Sequence, residues 1–217
     1  MKGADGFDQS YWDKNYAEPK EMDGIGNAKN HANYLKSYFE LEGVEINSVI
    51  DLGFGLGHLS AAVIRKFKPW RFHGLEPSEP AYKKGGARIS KLPYSKMKLD
   101  CTDLLTWAKK QPADARFFDL GICTSVFQYL TDQEIKVSLP IMARMFRYFY
   151  LTVPTDIELN KQIEDLNFYD DLAIRRSRVE YLKLLAPHFT LVSSRIWESK
   201  IHFNEDNTEL SDLLYRI

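Results

Sequence analysis

Cysteine is almost missing from this chain: two residues, Cys101 and Cys123, occur among 217. They share no metal-ligand spacing with one another or with the five histidines, which argues against a disulfide framework and a metal module. Both read as small buried hydrophobes. No apolar run approaches the roughly 18 residues that a membrane span needs. Residues 1–16 are broken by Asp5, Asp8, Asp13 and two lysines, so they lack the apolar centre of a secretory signal. A cytoplasmic, reducing location is the expectation. A surplus of either charge is also missing, with 29 Lys plus Arg against 30 Asp plus Glu, and the overall field gives no reason to expect a nucleic acid as main partner. Internal repeats and low-complexity tracts are absent too. What remains is 44% hydrophobic, 13% aromatic and 27% charged, the balance of one ordinary globular domain with a modest extension.

Periodicity then organises the chain. Short runs rich in β-branched and aromatic residues at 48–52, 71–75, 96–99, 117–123 and 148–153 predict strands. Amphipathic stretches at 57–67, 79–89, 103–110 and 132–146 predict the helices between them, with 79–89 weakened by Gly85 and Gly86. Strands alternating with helices need crossover connections, which favours a mainly parallel sheet covered on both faces. A polar connection over 154–171 leads to a helix starting at Ser177, a plausible N-cap, and ending before Pro187. The last two strand-like runs, 189–197 and 209–217, are joined by a loop too short for a helix and so predict an antiparallel hairpin. Residues 9–42 read as mainly helical.

The most informative stretch is VIDLGFGLGHLS, residues 49–60. A buried strand ends at Asp51-Leu52, the chain turns through Gly53, Gly55 and Gly57, and a helix follows. The glycines permit tight backbone geometry beside a ligand, and the helix N-terminus presents free N–H groups. A dinucleotide site wants G-x-G-x-x-G, whereas here His58 stands where the third glycine would fall. A pyrophosphate would also be repelled by an acid at Asp51, so the pattern suits a ligand with a cationic group.

These residues resemble the first motif, acid-x-G-x-G-x-G, of the class I S-adenosylmethionine-dependent methyltransferases. The resemblance implies a Rossmann-like, doubly wound α/β domain: a seven-stranded, mostly parallel sheet ending in an antiparallel hairpin, over residues 41–217, with an N-terminal helical cap over 1–40. It implies that the glycine turn lies against the methionine part of S-adenosylmethionine, with Asp51 reaching its amino group. Glu76, in HGLEPSEPAY, resembles the acid that accepts from both ribose hydroxyls. Asp100, in KLDCTDLL, resembles the acid that meets the adenine amino group, with the Cys101 N–H at a ring nitrogen and Asp103 as an alternative to Asp100. In FFDLGICTSVFQYL, Cys123 and Thr124 would line the methionine end, and Gln128 and Tyr129 would face the substrate. The segment YWDKNYAE resembles a helix that folds over the cofactor, with Trp12 and Tyr16 as contacts on one face.

The activity implied is methyl transfer, releasing S-adenosylhomocysteine, to an oxygen, nitrogen or carbon nucleophile of a small metabolite. The alternatives are a protein or RNA acceptor, or a member of the fold that binds without catalysis. The chain has TSVFQY where related amino-methylating enzymes carry an N-P-P-Y or D-P-P-Y stretch, which disfavours DNA bases and glutamine. Ligands of open α/β sheets sit at the strands' carboxyl ends, which selects the turn 198–204 and, within it, His202 as a candidate general base. Residues 154–171 carry six acids against Lys161, a net charge of −5, with apolar residues interspersed, and are a candidate lid selecting a neutral or cationic substrate. No metal is expected.

Overall fold

The computed structural model describes residues 26–93 and 96–203. The chain divides into two compact units, one ending at Leu104 and the other beginning at Leu105.

In the first unit, helix α1 (Ala28–Leu41) precedes β1 (Ser48–Leu52), α2 (His58–Phe67), β2 (Arg71–Leu75), α3 (Glu79–Ile89) and β3 (Lys96–Asp100). β2 pairs in parallel with both β1 and β3, the arrangement that helical crossovers produce. β1 is buried along its whole length, its polar Ser48 and Asp51 included, as befits a parallel strand covered on both faces. α1 turns Ala32, Leu35 and Phe39 inward, and Phe39 meets Phe67 of α2 edge-on at 6.2 Å.

In the second unit, α4 (Leu104–Lys109, whose first residue closes the preceding unit) leads to β4 (Phe118–Thr124), α5 (Asp132–Met145) and β5 (Phe146–Thr152). α6 (Asp156–Leu166), α7 (Arg178–Leu185), β6 (Phe189–Ser193) and β7 (Ile196–Ser199) complete it. β4 and β5 are parallel, and β7 lies antiparallel to both β5 and β6. Phe149 is the centre of an aromatic cluster with Phe127, Phe146 and Phe189, at centroid distances of 5.2 to 6.0 Å. The strand order in the sheet is β3-β2-β1-β4-β5-β7-β6, the seven-stranded, mostly parallel architecture expected.

Two expectations are corrected. The polar connection after β5 contains a helix, α6, begun by a capping box in which the Thr155 hydroxyl accepts from the Glu158 N–H and the Glu158 carboxylate accepts from the Thr155 N–H. The final hairpin is tighter than expected. The run 189–197 does not continue as one strand, because Ser194 and Arg195 reverse it, Arg195 taking a left-handed φ of 68°. β7 therefore ends at Ser199, and the run 209–217 lies outside the described residues.

Candidate active site

The carboxyl ends of β1, β2 and β3 each deliver one acid. Asp51 is 2% exposed. Its Oδ2 accepts the hydroxyl of Ser60 from α2, while Oδ1 is buried with no hydrogen-bond partner. Burial pushes this carboxyl up to about 7, and the Ser60 bond opposes the rise. Glu76 follows β2 and is also buried. Its Oε2 accepts the Gly55 N–H at 2.8 Å and its Oε1 the Ser78 N–H at 2.9 Å. Burial pushes Glu76 up to about 7; the two N–H bonds oppose this and the Asp51 charge adds to it. Asp100, at the end of β3, offers Oδ2 to Lys98 Nζ at 2.7 Å and His73 Nε2 at 2.9 Å. Partial burial alone would raise Asp100, but those two bonds prevail and hold it below its ordinary value. Cys101 is exposed beside it, and Asp103 stands just before α4.

The turn between β1 and α2 is set by its glycines. Gly53, Gly55 and Gly57 take φ values of 90°, 51° and 72°, a region closed to most side chains. The Gly53 and Phe54 N–H groups both donate to the Leu75 carbonyl, at 2.8 and 3.0 Å, which fastens the turn to β2. A β-carbon on Gly85 of α3 would lie 2.3 Å from the Gly55 carbonyl oxygen, and one on Gly57 would lie 2.9 Å from the Gly85 carbonyl oxygen. Gly85 is thus the surface on which the turn rests, a role that its reading as a weak point in the helix misses. The available signal was a mid-helix glycine pair in the helix after the second strand.

Asp51 and Glu76 form no ion pair among the described residues, and a carboxylate oxygen has lone pairs for more than one hydrogen bond. The site therefore offers acceptors to a ligand bearing an ammonium group and hydroxyls, and repels a pyrophosphate. S-Adenosylmethionine fits on the observed chemistry: Asp51 Oδ1 is a buried acceptor with nothing to accept.

In the second unit, Cys123 is buried in β4 and Thr124 ends that strand opposite Thr152. Ser125, with φ 56°, turns the chain into a short 3₁₀ turn, Phe127–Tyr129. Gln128 is 3% exposed, and its side-chain Oε1 has no partner. Three links fasten this turn to the chain ahead of α7. The Gln128 carbonyl accepts the Ile174 N–H at 2.7 Å, and the Tyr129 hydroxyl donates to Asp170 at 2.7 Å. Buried Arg176 donates to the Phe127 and Leu130 carbonyls and to Asp132. Asp170 belongs to the acidic connection, so that segment ends against the turn that carries Gln128 and Tyr129.

Residues 49–148 match the family model described as a methyltransferase domain. The fold around that match is the class I methyltransferase fold. Solved structures of this fold include the plantazolicin methyltransferase BpumL in complex with a pentazolic desmethylPZN analog and SAH, at TM-score 0.61 and 17% identity over 80% of this chain and 66% of that one. The N-methyltransferase NodS from Bradyrhizobium japonicum WM9 aligns at TM-score 0.57 and 13% identity over 81% and 98%. The magnesium protoporphyrin IX methyltransferase ChlM from Synechocystis PCC 6803 with bound SAH aligns at TM-score 0.55 and 17% identity over 79% and 81%. At such identities the likeness speaks for the fold. No curated protein sequence matches the chain significantly.

His202 does not lie in a turn at the strands' carboxyl ends. It follows β7, its ring packs 4.8 Å from that of Phe117, and its Nε2 lies 2.9 Å from the Arg144 carbonyl. Phe117 precedes β4 and Arg144 precedes β5, so His202 sits at the amino-terminal edge of those strands. The misplacement follows from the hairpin, which closes earlier than expected. A carbonyl only accepts, so Nε2 carries a proton there, and burial lowers the imidazole below its ordinary value. Trp12 and Tyr16 lie outside the described residues. No helix among the described residues is long and apolar enough to cross a membrane.

Proposed function

We propose that the chain binds S-adenosylmethionine at Asp51, the Gly53–Gly55–Gly57 turn, Glu76 and Asp100, and methylates a small-molecule acceptor. The unpartnered, buried Oδ1 of Asp51 is the observation that carries this reading. Bound there, the cofactor supplies a sulfonium-activated methyl group.

The chain's own residues then bind and orient. Asp51 accepts from an ammonium group, and the spare lone pairs of Glu76 accept from paired hydroxyls, while its Gly55 and Ser78 bonds keep it in place. Asp100 and the Cys101 N–H take the adenine edge. By the same resemblance, Cys123 and Thr124 are assigned to the cofactor, as are Trp12 and Tyr16 of a cap over residues 1–40. Gln128 and Tyr129 are assigned to the acceptor. In-line displacement at an activated methyl needs alignment more than acid–base help, and alignment supplies up to roughly 7 to 11 kcal/mol. No dedicated base is assigned, since the geometry of His202 does not support that role.

A small acceptor is supported by the near-equal charges, by TSVFQY after β4, and by the −5 segment that ends at Tyr129. We place the activity in the cytoplasm, in keeping with the scarcity of cysteine. Release of S-adenosylhomocysteine, followed across small neutral and cationic metabolites, peptides and RNA, tests the proposal. Turnover confined to small molecules is expected; turnover with peptide or RNA alone would overturn the acceptor class.

A further inference from the structure

Ser60 is fully buried on α2, and its hydroxyl donates to Oδ2 of Asp51. The two Asp51 oxygens are therefore unequal: one is held by a donor from the helix, and the other is buried with no partner. Without the Ser60 bond, the carboxyl would be free to rotate, and its charge would be buried with no hydrogen bond at all, the costliest state for a carboxylate. We propose that Ser60 is a positioning residue for cofactor binding: it fixes the Asp51 carboxylate in one orientation and in its charged form, so that Oδ1 presents a single directed acceptor to the ligand's ammonium group.

The inference rests on the proposed cofactor, but its geometry does not. Glu76 is the titratable group coupled to Asp51, and its own two oxygens are occupied by the Gly55 and Ser78 N–H groups. No cation is paired with either acid among the described residues, which leaves Ser60 as the group that favours charge on Asp51. Removing it raises the Asp51 titration further, and affinity for an ammonium-bearing ligand falls most near neutral pH.

Two readouts separate the inference from the function it deepens. The first is calorimetric binding of S-adenosylhomocysteine between pH 6 and 9 to wild type, Ser60→Ala and Ser60→Cys. Ser138→Ala serves as a control, since Ser138 is also a fully buried helical serine, its hydroxyl without a partner. Ser60→Ala should bind about tenfold more weakly, the factor that a bond of about 1.4 kcal/mol represents, with its pH midpoint moved up by about one unit. Ser60→Cys, a weaker donor of similar size, should fall between, and Ser138→Ala should bind as wild type. The second readout is the Asp51 carboxyl titration, followed by carbon-13 NMR on ligand-free protein, which should also move up in Ser60→Ala. Unchanged affinity and an unchanged titration in both Ser60 variants would overturn the positioning role. If the titration moves but no variant, wild type included, binds the ligand, Ser60 keeps its role toward Asp51 and the cofactor reading falls.

Discussion

At the residue scale, Asp51 trades stability for binding. A buried carboxylate with one bonded oxygen is costly, and an amide of the same shape removes the charge while still accepting from Ser60. Asp51→Asn should therefore raise the stability of the ligand-free protein at pH 8, by about 1 to 3 kcal/mol in urea denaturation. It should also weaken S-adenosylhomocysteine binding at least tenfold, because the amide N–H₂ then faces the ligand's donor. The positions of Asp51, Glu76 and Asp100 at or beside the carboxyl ends of β1, β2 and β3 were legible in the sequence because strand ends can be read from the pattern of apolar runs and turns. Arg176 was not, since its partners Phe127, Leu130 and Asp132 lie more than forty residues away and nothing local marks the pairing. His202 was misread because its placement depends on where the hairpin closes.

At the element scale, the turn after β1 and helix α3 behave as one piece. A β-carbon on Gly85 meets the Gly55 carbonyl at 2.3 Å and the Phe54 ring at 2.9 Å. Gly85→Ala should shift the turn, costing about 1 to 3 kcal/mol of stability in a urea melt and weakening cofactor binding in calorimetry, although Ala is the better helix former. The turn after β4 is held in a comparable way by Arg176. Arg176→Met keeps the apolar stem and removes donors from two carbonyls and Asp132. A loss of about 2 to 4 kcal/mol is expected, read as a lower thermal midpoint. Helix α6 shows what element-level reading misses. Its T-x-x-E start, TDIE, has the same form as the TDQE before α5 and the SRVE before α7, and all three are capping boxes in the structure. The charge of the segment hid a helix signal that was present in the letters. The hairpin itself was expected, but its turn was misplaced for the opposite reason, because Ser194-Arg195 lacks the glycine or asparagine that usually marks a two-residue reversal.

At the scale of the whole molecule, the parallel part of the sheet was readable because each strand and each crossover helix carries its own period. The pH dependence was not readable, since it comes from burial. Asp51 and Glu76 titrate near 7 when folded, against ordinary values of 3.8 and 4.5. The folded state thus holds more protons than the unfolded chain between about pH 4 and 7, and stability falls as pH rises through that window. Denaturation at pH 5 and pH 8 should show this fall in the ligand-free protein, a smaller fall in Asp51→Asn, and a partial recovery at pH 8 when S-adenosylhomocysteine is added.

The most direct test is calorimetry of wild type, Asp51→Ala and Glu76→Ala at pH 8 with S-adenosylmethionine, S-adenosylhomocysteine and NADH. Binding of the two sulfur ligands to wild type, no binding of NADH, and clear loss in both folded variants is the predicted result. Equal affinity in all three proteins, or preference for NADH, would contradict the assigned site.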